Sequence, residues 1–265
     1  MSDRAKSLLV GTDCSGIESP IMAIYNLGVK YVHVFSSDID RDCEEFINRN
    51  FPPLRFYPDI QLRDNREYTK KPLDLYVAGF PCTTFTSLGT RNGFADEIKG
   101  TIFFNVYDFI YHNRPKIFIL ENVKNLVNHD KGNTFHIIMK YLNMLQVDGN
   151  NGYNIVHQIM DTNDYGLPQN RSRIFIVGIK KSCQIVDKPF RFPKPTNPNL
   201  NISLNSIIQK NLKPLKTFNP PMSFTHSQTK LLQYIYKKYN DIDFTTLPLW
   251  ILNLNSSISW FSLGK

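Results

Sequence analysis

The sequence predicts an α/β protein built on a mostly parallel sheet, and two observations predict it. Short apolar runs rich in Val, Ile, Leu and Phe alternate with stretches of helical length over the first two thirds of the chain. Strands alternating with helices imply right-handed crossovers and a mostly parallel sheet. Polar clusters at 13–15, Asp38, 79–82 and Glu121-Asn122 each fall just beyond an apolar run. Ligands of such sheets sit beyond the carboxyl ends of the strands.

Taken in order, residues 7–13 read as a buried strand, followed by a helix over about 19–27. Residues 32–37 form a second strand, followed by a helix over about 40–50. A third short apolar run precedes Asp59. Residues 73–78 read as a strand, then a loop rich in Gly, Pro and Thr, then a helix over about 101–112. Residues 116–120 predict a strand ending in Glu121-Asn122, and 134–145 a helix. Strands at 155–160 and 173–179 complete the series. Beyond Ile179 come Pro189, Pro193, Pro195 and Pro198, with frequent Asn and Ser. That change puts a boundary near Lys180, dividing a body (1–180) from a C-terminal region (181–265). Within the latter, 227–239 reads as one short helix with Ser227 as N-cap.

The chain has 265 residues, 42% hydrophobic and 20% charged. That suits one large domain and excludes global disorder. No apolar run approaches the ~18 residues of a membrane span. The start runs from Met1 to Lys6 straight into Leu8-Leu9-Val10, with no secretory h-region. The expectation is a cytoplasmic or nuclear protein with no membrane partner. The four cysteines, Cys14, Cys43, Cys82 and Cys183, show no C-x-x-C spacing. They predict neither a disulfide framework nor a zinc site, and no metal is expected. The net charge of +8 lies entirely in the last third, where residues 174–265 hold 12 Lys and Arg against Asp187, Asp241 and Asp243. This asymmetry suggests a polyanion-facing segment on a neutral body; the alternative is a solvated basic tail.

The first strand leads into Asp13-Cys14-Ser15-Gly16-Ile17-Glu18-Ser19. A glycine there permits close backbone approach of a ligand at a helix N-terminus. The next strand ends in Asp38, whose carboxylate is suited to a ribose diol. Together they suggest a nucleoside-containing cofactor; alternatively both are ordinary turn and cap residues. Asp59, before Ile60, reads either as an acceptor for an adenine amino group or as a helix N-cap.

Gly79-Phe80-Pro81-Cys82-Thr83 is the strongest feature. It sets a cysteine behind a proline on a loop at the ligand edge. A free thiol is only a few per cent thiolate at neutral pH. Cationic neighbours or a helix N-terminus promote the thiolate, and Arg171, Arg173 and the helix after Gly100 are candidates. Cys14, Cys43 and Cys183 lack such settings and read as small buried hydrophobes.

Gly79-Phe80-Pro81-Cys82 resembles the Pro-Cys nucleophile motif of cytosine-C5 methyltransferases. Glu121-Asn122-Val123 resembles that family's Glu-Asn-Val block, and Gln169-Asn170-Arg171-Ser172-Arg173 its Gln-x-Arg-x-Arg block. Cys14 to Ile17 is similar to its cofactor loop, Asp38-Ile39-Asp40 to its ribose motif, Asp59 to its adenine-contacting Asp, and 100–106 to its next motif. The resemblance covers residues 7 to about 180.

It implies a Rossmann-like S-adenosylmethionine-dependent methyltransferase sheet with a short basic C-terminal extension. It also implies methyl transfer from S-adenosyl-L-methionine to carbon 5 of cytosine in DNA. Cys82 would add to carbon 6, and Glu121 would hold the N3/N4 edge, preferably as a proton donor kept protonated by burial. Asn122 would hold the loop, Arg173 would bind the O2 side and Arg171 would orient the phosphate or the catalytic loop. The cofactor would lie across Cys14, Ser15, Gly16, Ile17, Glu18, Asp38, Ile39, Asp59, Ile60 and Pro81. The target cytosine would be flipped out of the duplex, with residues 83–93 closing over it.

Glu18-Ser19 stand where the family usually has a Gly pair, Cys14 where it has Phe, and Thr83 where it has Gln. The family's closing helix with an Asn-Ser pair has no counterpart in 181–265, so a minimal version, a truncated end or a partner chain completing these elements is expected. Transfer RNA is the alternative substrate, although the Cys-Phe-Thr signature of that branch is absent. A catalytically silent nucleic-acid-binding subunit is the other alternative.

Overall fold

Residues 7–81, 102–145, 152–167, 169–185 and 187–196 are described by a computed structural model. The chain divides into two compact units, one of residues 1–161 with 172–194 and one of 162–171 with 195–265.

The first unit holds a seven-stranded mixed sheet. Strands β1 (Leu8–Asp13), β2 (Tyr31–Ser37), β3 (Arg55–Tyr57), β4 (Leu75–Ala78), β5 (Ile117–Val123), β6 (Tyr153–Asp161) and β7 (Ser172–Lys180) lie in the order β3-β2-β1-β4-β5-β7-β6. Helices α1 (Ser19–Asn26), α2 (Arg41–Asn50), α3 (Ile102–Asn113) and α4 (Asn133–Met144) fall between strands, as the alternation predicts.

β1 to β5 run parallel, and their carboxyl ends line up: Asp13 pairs with Ala78, Ala78 with Leu120 and Ser37 with Tyr57. β7 is antiparallel to both β5 and β6. Only residues 162–171 separate β6 from β7, fewer than a parallel crossover needs.

Asp40 does not enter α2 but caps it, its carboxylate accepting from the backbone N–H of Asp42 and Cys43. The core is aromatic, with Phe35, Tyr76, Phe103, Phe109 and Phe118 fully buried. Tyr76 stacks on Phe109 at a centroid distance of 4.5 Å. Gly178 in β7 is required by this packing, since a Cβ there would lie 2.1 Å from the Phe118 ring.

Among the described residues no helix is long and apolar enough to cross a membrane. Among them no group of His, Cys, Asp and Glu is placed to hold a metal ion. Cys82, the 83–93 loop, Gly100 and the 227–239 helix lie outside the described residues, as does most of the basic region.

Candidate active site

The loop after β1 is wound through left-handed backbone at Cys14 (φ 50°), Gly16 (φ 56°) and Glu18 (φ 59°). Backbone bonds, the Ser15 hydroxyl and two carboxylates hold it. Ser15 donates its N–H to the Ser37 carbonyl at 3.0 Å. Gly16 donates its N–H to Asp38 Oδ2 at 2.8 Å. Asp38 Oδ1 accepts from Asp40 N–H at 3.0 Å. Asp38 therefore braces the loop, as the turn-residue reading has it, and its carboxylate remains partly exposed beside that loop. Ile17 and Ile39 are 51% and 82% exposed. Two apolar side chains thus flank a carboxylate at the end of β2.

Glu18 departs from the placement the resemblance implies, whereas Cys14 takes the packing role that the sequence predicts. Glu18 is wholly buried. Its Oε1 accepts from the Thr12 hydroxyl at 2.7 Å and from the Ser36 hydroxyl, with His33 Nε2 3.4 Å away. Placed along the cofactor by the resemblance, this carboxylate turns inward and anchors the loop to β1 and β2. The Cys14 thiol is pushed up to about 12, first by burial and then by the charges of Asp13 and Asp38. At neutral pH it is a protonated thiol, in keeping with a packing role.

Asp59 caps the turn Ile60–Leu62, its Oδ1 accepting from Gln61 N–H at 2.8 Å, and Ile60 is buried beneath it. The capping role is present. Asp59 also lines a cleft of about 530 Å³ together with Arg55, Tyr57, Leu62, Arg63 and Glu67.

The approach to Cys82 is held from two sides. Gly79 donates its N–H to the Asp13 carbonyl at 3.2 Å. Phe80 is 2% exposed and packs on Phe103 at 5.5 Å. Asn122, itself buried, donates through Nδ2 to the Phe80 carbonyl at 2.7 Å. Pro81 follows, exposed, as the last described residue of the segment.

Glu121 stands beside this strand end. A Cβ built on Gly79 would lie 3.4 Å from the Cys14 carbonyl oxygen and 3.5 Å from Glu121 Oε2, so that carboxylate oxygen stands in ordinary contact distance of the Gly79 backbone. Glu121 Oε1 pairs with Arg173 Nε at 2.9 Å. The register explains the contact. Arg173 is paired with Val123, two residues along β5 from Glu121, so both side chains emerge on one face. The expected burial of Glu121 is not found, since its side chain is 29% exposed and rests against a guanidinium. Arg171 belongs to the second unit, where it is exposed and its carbonyl accepts from Thr162 N–H.

One group of residues was not anticipated. The wholly buried side chain of Asp13 accepts from Arg63 Nη1 and Nη2, both at 2.7 Å, and from the hydroxyls of Tyr76 and Ser37, both at 2.6 Å. The Arg63 guanidinium lies over the rings of Phe35 at 4.6 Å and Phe109 at 4.8 Å. Burial opposes its charge and the Asp13 carboxylate restores it, leaving its pKa above the ordinary arginine value. In sequence, Arg63 lies in a run of charged residues that resembles solvated surface.

A sheet whose strands run parallel except for a reversed β7, a carboxylate-braced first loop and a Glu–Arg pair beside Gly79 define a Rossmann-like fold class. Residues 14–246 match the family model "C-5 cytosine-specific DNA methylase", and the chain belongs to that family. It is 41% identical over 182 residues to Type II methyltransferase M.HpaII of Haemophilus parainfluenzae, a match covering 68% of this chain and 48% of that one. To M.BsuFI of Bacillus subtilis it is 35% identical over 205 residues, covering 77% of this chain and 45% of the relative. The chain thus spans about half the length of the curated relatives it matches. Among solved structures, a Spodoptera frugiperda DNMT2 mutant superposes with a TM-score of 0.58 at 20% identity, over 78% of this chain and 61% of that one. That likeness concerns the fold.

Proposed function

We propose that this chain transfers a methyl group from S-adenosyl-L-methionine to carbon 5 of cytosine in DNA. The observation that carries the reading is the Glu121–Arg173 pair beside Gly79, at the strand end that continues into Pro81-Cys82. The curated relatives are named Type II methyltransferases, and a modification role of that kind is part of the proposal.

The residues present fit the cofactor. Exposed Ile17 and Ile39 offer apolar faces for a base and a thioether chain, and Asp38 and Asp59 offer acceptors for hydroxyl and amino groups. When bound, S-adenosyl-L-methionine supplies the electrophilic methyl group. Everything else falls to the chain. Carbon 5 of cytosine is a poor nucleophile, and the Cys82 thiolate corrects this by adding to carbon 6, which makes the ring an enamine. Arg173 engages Glu121 Oε1, and Oε2 is the oxygen beside Gly79 that meets the N3/N4 edge of the base. Arg173 binds the O2 side of the ring in this proposal, and Arg171 orients a phosphate or the catalytic loop. After methylation, a base from solvent (water or hydroxide) takes the carbon 5 proton, the C–H electron pair becomes the C5–C6 double bond, and the carbon 6–sulfur bond breaks to release the Cys82 thiolate and restore the aromatic ring. Flipping the base out of the duplex costs a few kcal/mol, least for an unpaired base.

The test is transfer of labelled methyl groups to duplex DNA and, in parallel, to transfer RNA, with Cys82→Ser as control. Label in DNA as 5-methylcytosine, lost in the variant, is the expected result. Label in RNA alone, or label that survives in Cys82→Ser, overturns the reading.

A further inference from the structure

The Asp13 carboxylate touches or neighbours each segment that carries a candidate cofactor-binding residue. Its own residue ends β1 and opens the Cys14–Glu18 loop. Ser37, which donates to it, precedes Asp38. Arg63, which grips it with both terminal nitrogens, follows the turn capped by Asp59. Tyr76, a third donor, lies in β4, which leads to Gly79, and the Asp13 carbonyl itself receives Gly79 N–H. Arg63 is fixed in turn: Nε donates to Asn65 Oδ1 at 3.1 Å, and Asn65 donates to Asp108 on α3 at 2.8 Å.

A buried ion pair is seldom a net source of stability, because desolvation offsets most of the attraction. An apolar set of the same volume would fill the space at least as well. What that set cannot reproduce is direction. A bidentate guanidinium–carboxylate pair fixes distance and angle together, and here it fixes them between the β1 loop and the segment bearing Asp59.

From this we infer that Asp13 and Arg63 are a positioning pair, which sets the spacing between the β1 loop, Asp38, Asp59 and the approach to Cys82 and so governs affinity for the cofactor. The inference rests on the function proposed above.

The experiment uses the full chain and two variants. Arg63→Lys keeps the charge and loses the planar fork. The triple variant Asp13→Leu, Arg63→Met, Tyr76→Phe removes the buried charges and the tyrosine hydroxyl together. Calorimetric titration with S-adenosyl-L-methionine is read beside the thermal midpoint. Arg63→Lys, assayed well below its midpoint, should bind at least about tenfold more weakly. The triple variant should recover the wild-type midpoint and still bind weakly. Wild-type affinity in either folded variant overturns the inference, because a merely structural pair would be replaced by the apolar set without loss of binding. If the triple variant does not fold, Arg63→Lys decides alone. Failure of the wild-type chain to bind overturns the proposed function and this inference with it; binding by the wild type and equally by the variants overturns the inference only.

Discussion

Asn122 Nδ2 donates to the carbonyl of Phe80 at 2.7 Å, across the junction of β5 and the segment leading to Cys82. Both residues are buried, so no water replaces this bond when the amide is removed. Asn122→Ala leaves a buried carbonyl unsatisfied, a cost of about 1–3 kcal/mol. A displacement of about 1 Å at a reacting group costs on the order of a hundredfold in rate. We expect turnover to fall by that order while cofactor affinity, measured by calorimetry, changes less than about threefold. A variant that loses cofactor affinity and rate equally would remove Asn122 from this role.

Glu121→Gln separates stability from chemistry. The Glu121–Arg173 pair is partly solvated, with side chains 29% and 21% exposed. Such pairs contribute about 0–1 kcal/mol. Loss of a positioned acid costs about 10²–10⁴ in rate. The thermal midpoint should therefore barely move while methyl transfer collapses. An active Glu121→Gln enzyme would show that the carboxylate handles no proton.

Cys14 makes a pH prediction. Its thiol titrates near 9 when unfolded and about 12 when folded, chiefly through burial. Between these values the unfolded chain has lost the proton and the folded chain retains it, so stability falls as pH rises. This contribution is intact below pH 9 and gone above about 12. Denaturant unfolding from pH 8 to 11 should show a shallower decline for Cys14→Ala than for the parent. Parallel curves would place Cys14 in a more solvated setting than its contacts indicate.

Gly178→Ala is the packing test. The added methyl meets the Phe118 ring, which is itself buried against Tyr153 at 5.0 Å. Overpacking of this kind costs about 1–3 kcal/mol. Shortening the ring with Phe118→Leu in the same chain should recover part of the loss in denaturant unfolding. Additive losses would mean that the methyl and the ring do not meet.

Much of this arrangement was legible in the sequence. The strand–helix alternation located most strands and helices of the described sheet to within two residues, but β3 showed only as a short apolar run without bounds and β5 runs three residues past the predicted 116–120. Asp38 and Glu121 stood out because an acidic residue directly after an apolar run is a strand-end residue. Direction was less legible: period-two patterning reads the same in a reversed strand, and only the short connection before β7 hinted at the hairpin. Glu18 turned inward because a left-handed backbone at φ 59° aims its side chain at Thr12 and Ser36, and a loop sequence does not advertise that conformation. The Asp13–Arg63 pair was invisible, since 50 residues separate its members and nothing near Arg63 marks it as buried.

The strand order also determines when the site can exist at all. Gly16 meets Asp38 across 22 residues, Phe80 meets Asn122 across 42, and Asp13 meets Tyr76 across 63. Glu121 meets Arg173 only after α4 and β6 have intervened. The first two bonds close within single crossovers, β1-α1-β2 and β4-α3-β5, whereas Asp13–Tyr76 and Glu121–Arg173 form only once further strands are in place. Each requires closure of a loop whose entropic cost is repaid only when neighbouring strands are already paired. The chemistry is thus an emergent property of the completed sheet. A nascent chain that has not yet added β7 presents Glu121 without its guanidinium, and in that state it is unarmed.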